Sequence, residues 1–180
     1  MWLTIPNLFT TLRIFMTPFI LMELAHGKFV TAGWLFGAAA TTDLLDGAVA
    51  RRFQSESKIG LYLDPVADKI LLTSIFIGLA MSGAVPLWLI AVIFGRDVWI
   101  LVLSGIALKF TGFRNLEPSV WGKASTFVQV MTAVAVTAAW GYHDAVLARI
   151  CDALFLAVVV LAAISVVHYS LRGVYWLRAR

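Results

Sequence analysis

The chain has 180 residues, of which 61% are hydrophobic and 13% charged, with a net charge of +4 and a mean hydropathy of +0.91. A soluble domain holds about 45–50% apolar residues even with glycine counted, so the composition excludes one and indicates an integral membrane protein. The single cysteine, Cys151, excludes an internal disulfide and a cysteine-based structural zinc site, and reads as packing.

At about 20 residues per spanning helix, the chain accommodates six helices with short connections. We expect an all-α protein with six transmembrane helices forming one domain over residues 1–180. Their predicted limits are Leu8–Ala25, Phe29–Ala50, Ile59–Met81, Pro86–Leu108, Ser119–Trp140 and Leu147–Leu171. Met1 to Pro6 has no basic segment, and no small-residue cleavage site follows, so no cleaved signal peptide is expected. Pro6 suits a first helical turn. Beyond it, Asn7, Thr10 and Arg13 recur at steps of three and share a face. Pattern alone favours a cap from Asn7 and an Arg13 side chain reaching back to the membrane interface.

Gly33 and Gly37 in the second helix form a step that suits close helix packing. That helix ends, and the third begins, around the stretch Thr42 to Lys69, which holds four aspartates. Asp43 and Asp46 are three apart and Asp64 and Asp68 four apart, so each pair projects from one helix face. A polar hairpin, Arg51 to Lys58, would bring the two pairs together near one membrane surface. Each aspartate costs roughly 2.5–3.5 kcal/mol at the centre of an isolated spanning helix, and four on the order of 10 kcal/mol. A bound Mg2+ or Mn2+ relieves the mutual repulsion of such carboxylates, while pairing with Arg51, Arg52, Lys58 and Lys69 is the plainer alternative. Gly47 and Ala50 share the face of Asp43 and Asp46, and Gly60 precedes Asp64 and Asp68 at the same step of four. Small residues on the carboxylate face leave room for a ligand to approach the backbone. The pair Asp64-Pro65 predicts that the third helix starts or kinks there.

The fourth helix carries Arg96 and Asp97, for which a mutually neutralising structural pair is the cheaper reading. In the fifth, Lys123, Thr126 and Gln129 form a polar row that suits either a bound phosphate or an interface anchor. Nine of the 14 lysines and arginines lie on the side of the aspartate hairpin and two, Lys28 and Arg149, on the other. By the positive-inside rule the aspartates face the cytoplasm, and the positive excess would hold anionic lipid headgroups there.

The residues Asp43, Asp46, Gly47, Ala50, Arg51, Gly60, Asp64 and Asp68 reproduce the pattern D-x2-D-G-x2-A-R-x8-G-x3-D-x3-D without a gap. In this the chain resembles the CDP-alcohol phosphatidyltransferases, over roughly Ile5 to Gln129. The resemblance implies an enzyme that moves a phosphatidyl group from CDP-diacylglycerol to an alcohol and releases CMP. It further implies two Mg2+ or Mn2+ ions held by Asp43, Asp46, Asp64 and Asp68, with Asp68 as general base. Arg51 would contact donor phosphate, and Gly47, Ala50 and Gly60 would leave space for the nucleotide. The opening P-N-x-x-T-x-x-R, with Asn7 and Thr10 on the donor side, looks like that of glycerophospholipid-making members.

For the acceptor, the resemblance divides. Members similar to phosphatidylglycerophosphate synthases, which use glycerol 3-phosphate, carry Arg-Glu at Arg96-Asp97 and an arginine where this chain has Ser104. Cardiolipin synthases look closer, with Arg-Asp-Val and a pattern like that of Pro118, Lys123, Thr126 and Gln129, and this favours phosphatidylglycerol as acceptor. Arg96, Arg114 and Lys123 are the acceptor-side candidates. The resemblance also implies a homodimer among membrane lipids, in a bacterial-type inner membrane or the mitochondrial inner membrane, with the site on the cytoplasmic or matrix side. No nucleic-acid partner is expected. The rival readings are a small transporter whose pathway the aspartates line, and a lipid-binding protein that keeps the site without turnover.

Overall fold

A computed structural model describes the backbone of residues 5–53, 60–111 and 119–178, and side chains over 11–41, 67–106 and 119–172. Among the described residues there are six helices and no strands: α1 (Ile5–Ala25), α2 (Phe29–Phe53), α3 (Gly60–Met81), α4 (Leu87–Thr111), α5 (Val120–Tyr142) and α6 (Ala145–Arg178). Three stretches within them are long and apolar enough to cross a membrane: Leu87–Ile106, Val120–Tyr142 and Ala145–Arg172. Phe29–Thr41 is a shorter apolar stretch.

The turns explain where helices stop. After α1, the Gly27 amide donates to the Leu24 carbonyl (2.9 Å) and that of Lys28 to Glu23 (2.9 Å), with Gly27 at φ +74°. This Schellman arrangement satisfies carbonyls that the helix end would leave bare, and it needs the left-handed conformation glycine adopts freely. Gly83, at φ +77°, ends α3 in the same way, through Gly83 to Ala80 (3.0 Å) and Ala84 to Leu79 (2.8 Å). Between α5 and α6 the turn shrinks to His143 and Asp144. The Asp144 carboxylate accepts from the amides of Val146 (2.7 Å) and Leu147 (3.1 Å), an N-cap that starts α6.

Two sequence expectations change here. Asn7 lies within α1, which begins at Ile5, so it does not flank the helix as a cap. The third helix begins at Gly60 and runs through Pro65. A proline this near a helix start removes only one backbone hydrogen bond, and the remaining turns carry the segment on.

The chain gathers into two compact units, Met1–Val85 with Val136–Leu147, and Pro86–Ala135 with Ala148–Arg180. In the first, α1 packs against both α2 and α3, over a core that includes Ile20, Leu24, Phe36, Ala67, Ile75, Phe76 and Leu79. Both units bury polar side chains, among them Arg13, Gln129, Thr132 and Ser165, while Phe15, Trp34, Leu101 and Leu156 are exposed. That polarity suits a lipid surround, where apolar residues cost nothing outside and polar groups seek partners within.

The close approach of α1 to α3 is made at Gly78. A Cβ added there would sit 2.8 Å from Leu24 Cβ and 3.1 Å from the Leu21 carbonyl oxygen. The expected packing step in α2 behaves differently: Gly33 meets Thr137 at an ordinary 3.5 Å, and Gly37 has no described atom within 4 Å of such a Cβ. We predict that Gly78→Val lowers stability by about 1–3 kcal/mol through overpacking, whereas Gly37→Ala leaves it unchanged or slightly raised by helix propensity. Thermal unfolding in detergent checks both, and a Gly78→Val protein as stable as the parent would contradict the packing.

Candidate active site

All four aspartates lie on helices of the first unit, Asp43 and Asp46 on α2, Asp64 and Asp68 on α3. α2 also carries Gly47, Ala50 and Arg51, and α3 opens on Gly60. α1 packs against both helices. The side chains of Asn7, Thr10, Asp43, Asp46, Gly47, Ala50, Arg51, Gly60 and Asp64 lie outside the described residues. So does the hairpin over 54–59, and so do the side chain of Arg114 and residue Pro118.

Asp68 is described. Its side chain is 55% exposed, and one carboxylate oxygen accepts a hydrogen bond from Nη1 of Arg13, whose side chain is 2% exposed. The expectation that Arg13 reaches back to the interface is therefore overturned. Arg13 turns inward because an always-charged guanidinium gains more from a carboxylate partner than from apolar packing. With the Asp68 side more than half exposed, the pair contributes about 1–3 kcal/mol. In the sequence the signal for this contact was the step-of-three row ending at Arg13. Its partner, 55 positions away, could not be read from that row.

As a donor set for a hard divalent cation, four carboxylates have suitable chemistry. Among the described residues no group of three or more His, Cys, Asp or Glu gathers.

The second unit holds a different polar cluster. Arg96 on α4 is 7% exposed and bonds through Nη1 to the adjacent Asp97 (2.8 Å). Its Nη2 also donates to Ser165 Oγ on α6 (2.9 Å) and to the Gly122 carbonyl on α5 (3.4 Å). Ser119 caps α5, its Oγ accepting from the Gly122 amide (3.0 Å), while its own amide donates to the Tyr169 hydroxyl (2.9 Å). Gly122 leaves space for this convergence: a Cβ there would lie 3.2 Å from the Tyr169 hydroxyl and 3.4 Å from Arg96 Nη2. The geometry agrees with Arg96 and Asp97 as a neutralising pair and adds the ties to α5 and α6, which no local pattern announced.

The row Lys123, Thr126 and Gln129 does not share one environment. Lys123 is exposed, the Thr126 hydroxyl donates to the Gly122 carbonyl (3.2 Å), and Gln129 is fully buried. Gln129 therefore does not anchor at an interface. Its Nε2 reaches Ser125 Oγ at 3.5 Å and its Oε1 has no partner among the described residues.

The chain belongs to the CDP-alcohol phosphatidyltransferase family, whose sequence model matches residues 3–167. It is 34% identical over 161 residues to a Drosophila melanogaster protein named probable cardiolipin synthase (CMP-forming), covering 79% of this chain and 50% of that one. It is 36% identical over 132 residues to a probable phosphatidylglycerophosphate synthase of Mycobacterium tuberculosis, covering 69% and 61%. A cardiolipin synthase (CMP-forming) of Streptomyces coelicolor is 34% identical over 131 residues, covering 69% and 60%. The chain thus matches between half and about three fifths of the length of these relatives.

For the Arg96 cluster, we predict that Arg96→Leu destabilises the protein by about 3–5 kcal/mol, because the buried ion pair with Asp97 is broken, and that Arg96→Leu/Asp97→Leu recovers most of the loss. Thermal unfolding of both variants in detergent measures this. A double variant no more stable than the single one would show that the ties to Ser165 and Gly122, rather than charge pairing, dominate.

Proposed function

We propose that the protein transfers a phosphatidyl group from CDP-diacylglycerol to a glycerol-type alcohol and releases CMP, with phosphatidylglycerol as the favoured acceptor and cardiolipin as product. What carries this reading is the complete, gapless D-x2-D-G-x2-A-R-x8-G-x3-D-x3-D pattern in a chain of this family. The names of the Drosophila and Streptomyces relatives are consistent with the acceptor. In this reading the whole chain is one domain of six membrane-crossing helices, works as a homodimer, and opens its site to the cytoplasm or matrix. The surplus of Lys and Arg on the hairpin side supports that orientation.

Asp43, Asp46, Asp64 and Asp68 would hold two Mg2+ or Mn2+ ions, which when bound neutralise donor phosphate charge and the CMP leaving group. Arg51 holds a donor phosphate oxygen through its planar fork. Asn7 and Thr10 contribute on the same donor side. Gly47, Ala50 and Gly60 keep the carboxylate faces of α2 and α3 free of bulk, so that the nucleotide lies against the backbone. Asp68 takes the proton of the acceptor hydroxyl as its oxygen bonds to the phosphatidyl phosphorus. The bond from that phosphorus to the bridging oxygen breaks, and CMP departs with the electron pair. On the acceptor side we assign Arg96, Arg114 and Lys123, of which Lys123 is exposed.

Glycerol 3-phosphate as acceptor is a second reading, favoured by the name of the Mycobacterium relative. Two features weigh against it. Ser104 stands where the phosphatidylglycerophosphate synthases carry an arginine, and a phosphomonoester brings nearly two negative charges where a phosphodiester brings one. With both acceptors at equal concentration, we predict that chromatography of the products shows mainly cardiolipin. Phosphatidylglycerophosphate as the main product would reverse the acceptor assignment, and the absence of either product would remove the reading altogether.

A further inference from the structure

The second unit carries an open groove of about 390 Å³ on α5 and α6, lined by Trp121, Ala163, Ile164, Val167, His168 and Leu171 and presenting only apolar surface. Its walls are pinned. The Ser119 amide donates to the Tyr169 hydroxyl (2.9 Å), and Arg96 reaches both the Gly122 carbonyl (3.4 Å) and Ser165 Oγ (2.9 Å), so the two helices are tied at the groove's own level. A groove fixed in this way is formed before anything enters it, which lowers the cost of filling it.

Its place along the helices indicates what fills it. Both walls belong to stretches long and apolar enough to cross a membrane, Val120–Tyr142 and Ala145–Arg172. Trp121 stands in the first turn of α5, and the α6 wall ends at Leu171, beside the end of its spanning stretch. The groove therefore opens at the membrane interface, where tryptophans gather, and runs inward. From Leu171 to Ala163 the helix rises about 12 Å, close to the roughly 15 Å that one leaflet contributes to the hydrocarbon core. An apolar channel of that depth, opening at one interface, matches a single acyl chain whose headgroup stays at the level of Trp121 and Leu171.

We propose that the groove seats an acyl chain of the acceptor lipid. The inference rests on the reading of phosphatidylglycerol as acceptor, and it gives that lipid a place. Arg96 and Lys123, assigned to the acceptor, belong to the same unit as the groove, while the four aspartates lie on helices of the first. Arg96 bonds the carbonyl of Gly122, the residue between Trp121 of the groove wall and Lys123. Glycerol 3-phosphate has no chain and would leave the groove without a part in catalysis.

The test uses the full chain in phosphatidylcholine nanodiscs that contain a small fraction of phosphatidylglycerol carrying a photoreactive diazirine in one acyl chain. After illumination, labelled peptides are mapped by mass spectrometry, and cardiolipin formation gives kcat and KM. In the parent we expect label on α6 between residues 163 and 171, chased by unlabelled phosphatidylglycerol and not by CDP-diacylglycerol. Ala163→Trp fills the groove from an exposed position. It should remove most of that label and raise the phosphatidylglycerol KM about tenfold, with kcat and the donor KM within about threefold of the parent. Ala153→Trp, exposed on α6 outside the groove, should behave as the parent. Val167→Trp, also from an exposed groove position, replaces Ala163→Trp if that variant does not fold. Label spread evenly over the helices, chased by CDP-diacylglycerol or unchanged in the filled variant overturns the inference, as does a phosphatidylglycerol KM that does not move. Label that reaches the groove only once the protein is dissociated to monomers would make a second copy its occupant. If the parent forms no cardiolipin, the acceptor reading fails. Groove label chased by phosphatidylglycerol would then still establish a seat for that lipid, and its absence would remove the seat as well.

Discussion

Charge inside an apolar helical protein has to be matched locally, and the pairing of Arg13 with Asp68 is where this chain does so at its candidate site. The pair joins α1 to α3, the two helices that meet most closely at Gly78. Leu21 and Leu24, which crowd Gly78, lie two to three turns along α1 from Arg13. One end of the contact is thus fixed by backbone proximity, the other by a charged hydrogen bond. Leu71, Ile75 and Phe76 fill the length of α3 between them with buried apolar bulk. Asp68 thus sits at one end of a closely packed contact between α1 and α3.

The second unit solves the same problem with another geometry. Arg96 and Asp97 are neighbours in sequence, and Ser165, Ser119, Tyr169 and the Gly122 carbonyl complete the polar shell. Since the donors and acceptors of that shell come from three helices, the cluster specifies how α4, α5 and α6 meet. In a lipid surround, where apolar association gives little drive, such bonds and small residues set the packing. Gly122 serves both purposes here.

Helices were legible because they depend on local chemistry. Apolar runs of spanning length marked the six segments, while the ends that Gly27, Gly83 and Asp144 set were not read, although they follow rules that act over a few residues. The motif was legible for the same reason, since its spacing lies on two consecutive helices. What resisted reading was partnership across helices. Arg13 looked like an interfacial side chain because nothing near it in sequence carries a negative charge, and Glu23, ten positions on, faces Lys28 instead. Gly33 and Gly37 had the spacing of a close contact, while the contact itself fell to Gly78, whose companions at steps of four are Ser74 and Ser82. Gln129 appeared as one end of a polar row and proved to be buried, because a row at steps of three to four drifts around the helix and leaves the exposed face.

The proposed divalent-cation site on the aspartates of α2 and α3, where CDP-diacylglycerol would be cleaved, is tested by CMP release from CDP-diacylglycerol by the parent protein and by Asp46→Asn and Asp64→Asn, each with Mn2+ or Mg2+ and again after chelation. Release by the parent is expected only with the cation present, and at least about a hundredfold less from either variant. Cation-independent release, or parental rates from both variants, would contradict the proposal.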